Sequence, residues 1–156
     1  MCYTGSMAFS NDSSLILLTY KGKILLMLFE NDPLIFNSPY LIKNHTWKFI
    51  GGTKGAHDSF RDSIVKKVRR ITGVNLSEIN VLSTIVSGKE KTYLYHAKLS
   101  DEQVNNIERG EGHLLQFFSF KELETLPLSD TTKLFISKNR DFMEKIYNKP
   151  ALDISN

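Results

Sequence analysis

Trp47-Lys-Phe-Ile-Gly-Gly-Thr-Lys-Gly-Ala-His-Asp-Ser-Phe-Arg-Asp-Ser-Ile-Val-Lys-Lys-Val-Arg-Arg-Ile-Thr-Gly-Val74 runs from a glycine pair straight into a helical pattern. Between Ala56 and Thr72 the apolar residues Phe60, Ile64, Val68 and Ile71 recur at steps of four, four and three, one face of an amphipathic helix. Gly73 is its expected stop. Gly51 and Gly52 are expected to give a tight backbone path that bulkier residues would obstruct. The same segment carries Arg61, Lys66, Lys67, Arg69 and Arg70 against Asp58 and Asp62, so the chain's entire formal charge of +3 sits here.

Upstream, Leu15 to Tyr20 and Lys23 to Phe29 are apolar runs around Lys21-Gly22, the pattern of a hairpin. Glu30 to Thr46, with Asn31-Asp-Pro33 and Asn37-Ser-Pro39, reads as a long connection. Downstream, Val81 to Ser87 and Lys91 to Leu99 flank Gly88-Lys-Glu90 as a second hairpin. Ser100 with Gln103 forms a capping box for a short helix to about Arg109. Leu114 to Phe120 is a further strand, Lys121 to Thr125 a helical turn, and Thr131 to Asn148 a final amphipathic helix stopped by Pro150. Hairpins interleaved with helices predict a mixed sheet covered on both faces.

With 156 residues, 41% of them hydrophobic, the chain suits one folded domain. Residues 13–148 are expected to form it, with tails at 1–12 and 149–156. The only cysteine, Cys2, has no internal partner, and the first residues lack the pattern of a signal peptide, so a cytoplasmic protein is expected. The apolar runs are too short for a membrane span. His45, His57, His96 and His113 are scattered, without the spacing of a transition-metal site. Basic residues are not interleaved with aromatics in the manner of a nucleic-acid surface, so nucleic acid is not an expected partner.

Trp47 to Val74 resembles the Nudix box, G-x5-E-x7-R-E-U-x-E-E-x-G-U with U aliphatic, without a gap from Gly52 to Val74. The likeness extends to Lys21-Gly-Lys-Ile-Leu-Leu26 ahead of the box. It also covers Glu111 to Leu123 with Leu126-Pro-Leu128 behind it, about residues 13 to 148 in all. It implies a Nudix-type α/β/α sandwich with a mixed β-sheet, in a family where dimers are frequent. Ile50 stands where the family usually has proline.

The resemblance also implies a chemistry that this sequence departs from. Nudix enzymes hold Mg²⁺ or Mn²⁺ with carboxylates at i, i+3 and i+4 on one helix face. Here only Asp58 is acidic; the Arg-Glu pair becomes Lys66 and Lys67, and the Glu-Glu pair becomes Arg70 and Ile71. No metal ligand set is therefore expected. The leading expectation is a catalytically impaired Nudix fold that binds a nucleotide or other phosphorylated small molecule, or a protein partner. Its ligand-binding residues would be Gly51, Gly52, Lys54, Lys66, Lys67 and Arg70, fixed cations replacing metal charge. A solvated basic face is the plainer reading of the same lysines and arginines. The alternative is a divergent hydrolase acting on a nucleoside diphosphate derivative, with Mg²⁺ or Mn²⁺ and carboxylates from Asp58, Glu111 and either Asp62 or Glu108. Trp47 and Phe49 are read either as a platform for a nucleobase or as core.

Overall fold

The structure is a computed structural model and describes residues 12–29, 46–108 and 113–148. Strands β1 (Ser13–Tyr20) and β2 (Lys23–Phe29) form the first hairpin, followed by β3 (Ile50–Thr53) and helix α1 (Phe60–Thr72). The second hairpin is β4 (Asn80–Ser87) and β5 (Glu90–Lys98). Helix α2 (Asp101–Asn105), strand β6 (His113–Ser119), a 3₁₀ turn at Lys121–Glu124, and helices α3 (Asp130–Lys138) and α4 (Arg140–Asn148) complete the order.

The sheet runs β4-β5-β1-β2-β6, with β3 paired to β1. The β1–β5 pair is parallel and the other pairs are antiparallel, so the sheet is mixed. The first hairpin turns at Lys21 and Gly22, both at positive φ (48° and 77°), the backbone of a tight two-residue turn. Along one edge, β1 pairs first with β3, at Ser13–Ile16, and then with β2, at Leu18–Tyr20. Beyond that point the segment leading into β3 keeps contact with β2, because Met27 and Lys48 exchange both backbone hydrogen bonds (2.9 and 3.0 Å). β3 is thereby wedged between the arms of the first hairpin.

Both faces of the sheet are covered, which is why its central strands read as unbroken apolar runs. Ile16, Leu18, Leu25, Met27, Ile50, Tyr95 and Ala97 pack with Ile64, Val68 and Ile71 of α1. Leu17, Ile24, Leu26, Phe49 and Leu94 pack on the other side with Phe135, Ile136 and Met143 of α3 and α4. The molecule is thus an α/β/α sandwich. None of its helices, among the described residues, is long and apolar enough to cross a membrane.

Three expectations change at the level of single residues. Helix α1 starts at Phe60 rather than Ala56, because the Ser59 side chain accepts from the Asp62 amide (3.0 Å) as N-cap and residues 54–58 turn instead. Its stop at Gly73 is as read, in the left-handed conformation with its N–H on the Arg69 carbonyl. The expected final helix is two, α3 and α4, which part at Asn139; the Asn139 side chain donates to the Phe135 carbonyl (2.8 Å) and competes with helix continuation. The short helix carries the full Ser100/Gln103 box but ends at Asn105.

β4 is an outer strand without a charged residue, and Val81 and Val86 are exposed on it. A register shift between Val81 and Ser83 interrupts its pairing, and Lys138 of α3 donates to the Thr84 carbonyl (2.7 Å). Bulges and lysines at a sheet edge both discourage pairing with another chain.

Candidate anion-binding site

Where β3 ends and α1 begins, a pocket of about 150 Å³ is lined by Ser14, Gly52, Thr53, Gly55, Asp58, Ser63, Lys66, Lys67 and Arg70. Ser63, Lys66, Lys67 and Arg70 fall at i, i+3, i+4 and i+7, one outer face of α1. The opposite face is the core stripe of Ile64, Val68 and Ile71, so burial of one face dictates what the other presents.

Gly51, expected to bind ligand, does not line the pocket; it sits where β3 pairs closely with β1. Gly51 has φ +142°, and a Cβ there would lie 2.2 Å from the Ser14 carbonyl oxygen and 2.8 Å from Leu15 Cα. Only glycine fits. Gly52 differs from the expectation, since the nearest atom to a Cβ there is Lys67 Cε at 4.0 Å. It is the side chain of Lys67, not backbone, that covers Gly52. Ser14 is buried and donates to the Phe60 carbonyl (2.7 Å), which ties β1 to the first turn of α1.

The turn at residues 54–58 forms a strap across the pocket. The Lys54 amide donates to the Asp12 carbonyl (2.7 Å), and its ammonium donates to the carbonyls of Gly55 (3.1 Å) and Asp58 (3.0 Å). Lys54 therefore braces the backbone rather than lining the pocket. The strap places the Asp58 carboxylate 2.9 Å from the Lys66 ammonium. That hydrogen bond is the main cause lowering the Asp58 pKa and raising that of Lys66.

A further cation lies nearby. Lys48 is exposed by surface area, yet enough protein surrounds its ammonium to desolvate it, and the charge of Lys67 adds to that effect; both lower its pKa. The positive field around Lys67 thus extends beyond the residues that line the pocket.

Among the described residues, the pocket lining offers little to a divalent cation. Among the described residues no three His, Cys, Asp or Glu side chains form a group that could hold a metal. Among the described residues Asp58 is the one carboxylate of the pocket lining, and it is already bonded to Lys66. Asp62 is exposed on α1 and outside the lining. Glu108 follows the far end of the 13-residue helix, its N–H on the Thr72 carbonyl, and is outside the lining. Ile71, aligned with the last glutamate of the motif, is in the core. Glu111, His45 and most of the connection from Glu30 to Thr46 lie outside the described residues.

The basic segment divides on folding. Lys66, Lys67 and Arg70 line the pocket, Arg61 donates to the Ser77 carbonyl (2.8 Å) beyond the helix, and Arg69 is exposed elsewhere. Phe49 is fully buried and Trp47 packs edge-on to Phe118 at 4.9 Å, so both belong to the core side. Ser63 was legible in the helical period but carried no charge to draw notice. Ser14 had no signal at all, because its place depends on the β1–β3 pairing.

No protein-family model and no curated protein matches the sequence. Solved structures do match its fold. A MutT protein, studied from the fish pathogen Aliivibrio salmonicida and from Vibrio cholerae, is 11% identical with a TM-score of 0.62, over 88% of this chain and 97% of that one. A MutT Nudix hydrolase from Burkholderia pseudomallei is 17% identical with a TM-score of 0.61, over 81% and 95%. The Nudix domain of Shewanella oneidensis NrtR, complexed with ADP-ribose, is 17% identical with a TM-score of 0.60, over 92% and 99%. The likeness is one of architecture, and on it the chain has the Nudix fold.

Proposed function

We propose that this chain binds a phosphorylated, nucleotide-like anion through fixed cations, as a cytoplasmic domain in which metal-dependent hydrolysis is impaired or lost. The observation that carries this reading is the position of Lys67 and Arg70, which line the pocket at two places where the resembled motif has glutamate. Lysine and arginine beside a phosphate supply charge-assisted hydrogen bonds, and arginine can make two in parallel. Ser63 adds a hydroxyl on the same wall.

Size limits what enters. Ligand pockets usually span about 300–1,000 Å³, so a cavity of about 150 Å³ takes the anionic group and leaves the remainder of the ligand outside. The complex of the NrtR Nudix domain with ADP-ribose makes ADP-ribose the natural first probe.

The test is calorimetric titration of ADP-ribose in the presence of EDTA, with the K67E/R70E variant alongside. Binding that persists in EDTA and disappears in the variant is expected, with no turnover of ADP-ribose, nucleoside triphosphates or nucleotide sugars under Mg²⁺ or Mn²⁺. Metal-dependent turnover would overturn the reading and point to a hydrolase using Asp58 and Glu111. Undiminished affinity in K67E/R70E would remove the pocket from consideration.

A further inference from the structure

Asp58 is an anion in a pocket whose other charged lining residues, Lys66, Lys67 and Arg70, are cations. One of its carboxylate oxygens accepts from Lys66 at 2.9 Å. The other oxygen lies against Gly55, where an added Cβ would come within 2.7 Å of it. Gly55 thus leaves room for the carboxylate, and Lys54 pins the turn that presents it. The carboxylate lowers the positive charge of the pocket and engages the Lys66 ammonium, whose side chain is 63% exposed.

We propose, resting on the anion-binding reading above, that Asp58 is an internal competitor: its carboxylate occupies Lys66, and an incoming phosphate group binds by taking Lys66 from it. An exposed ion pair is weak enough to exchange in this way, since water competes for both partners. A phosphate offers more acceptor oxygens and more charge than one carboxylate, so it can engage Lys66 and Lys67 together. Asp58 then sets a threshold. Weakly charged anions, carboxylates among them, fail to displace it, and phosphate groups succeed. The aspartate aligned with an acidic position of the Nudix motif acts here against the ligand.

The experiment is titration of inorganic phosphate into the full chain in EDTA, comparing wild type with D58N, D58A and K66M. D58N and D58A are expected to bind phosphate about tenfold more tightly, as removal of one surface charge a few ångströms from the anion implies, with a smaller gain at high salt. K66M is expected to bind more weakly, and D58N/K66M to keep little of the gain. In wild type, carboxyl carbon NMR should show the Asp58 pKa rising towards the ordinary aspartate value as phosphate saturates the site, because Lys66 has left it. If wild type binds phosphate while D58N and D58A bind no more tightly, the competitor is overturned and the anion site stands. An Asp58 resonance that ignores saturating phosphate has the same meaning. If neither wild type nor D58N binds phosphate, the anion site itself is overturned.

Discussion

Replacing Gly51 with alanine attacks the junction of β1 and β3 through the backbone alone. The new Cβ would stand 2.2 Å from the Ser14 carbonyl oxygen, and both that atom and Leu15 Cα belong to a fully bonded central strand that cannot swing aside as a side chain would. Holding alanine at φ +142° costs about 1–3 kcal/mol. Moving β3 off β1 to relieve the contact loses backbone hydrogen bonds at about 1 kcal/mol each. Together these give about 3–5 kcal/mol. A chain of this size loses about 2–4 °C in melting temperature per kcal/mol, so a fall of about 10 °C is expected, read by circular dichroism. Gly52→Ala is the control, because the nearest atom is the mobile end of Lys67 at 4.0 Å; its stability should stay within about 0.5 kcal/mol of wild type. A G51A protein melting within about 2 °C of wild type would refute the reasoning, as would a G52A protein damaged equally.

Three further outcomes follow from the packing and the charges. His96 is half-buried between Thr19 (3.2 Å) and the Phe142 ring, and burial, with the charge of Lys98, lowers its pKa. The unfolded chain therefore takes up this proton first as pH falls through about 6.5, so the stabilising term is whole above that pH and lost below it. Denaturant melts at about pH 7.5 and about pH 5.5 should show a larger loss in wild type than in H96Q, and equal losses would refute the assignment. Phe135→Ala empties a fully buried position where α3 meets the sheet and should cost about 3–5 kcal/mol in chemical denaturation; a cost under about 1 kcal/mol would mean that the site collapses around the gap. Lys138→Ala uncovers the Thr84 carbonyl on an uncharged outer strand, so concentration-dependent self-association should exceed that of wild type by light scattering; unchanged scattering would show that the bulge alone protects the edge.

The scaffold was legible because its signals are local and periodic. Steps of four, four and three from Phe60 to Ile71 place α1, and apolar runs around Lys21-Gly22 and Gly88-Lys-Glu90 place both hairpins. The helix face of Lys66, Lys67 and Arg70 followed from the same period. Contacts between distant segments could not be read in this way. Lys54 was expected to bind ligand, yet it braces its own turn, because only the folded strap brings the carbonyls of Gly55 and Asp58 to its ammonium. Gly51 and Gly52 look alike as letters and differ entirely in need, since β1 passes directly behind the first. Asn139 carries a helix-breaking side chain in a stretch whose apolar spacing continues through it, so two helices read as one.

The double-sided pairing of β1 sets a hierarchy of breathing motions. Its residues bond to β5 from Ser13 to Thr19 on one flank and to β3 and then β2 on the other, so their amides can exchange with deuterium only when the molecule comes apart as a whole. The strap over the pocket is tied to its surroundings by the backbone hydrogen bond from Lys54 to Asp12 and by the Asp58–Lys66 pair, while the Lys54 ammonium braces it from within. Its amides should exchange orders of magnitude sooner. The strap can therefore open locally while the β1–β3 pairing at Gly51 stays fixed, so substitutions in the strap should leave the scaffold intact.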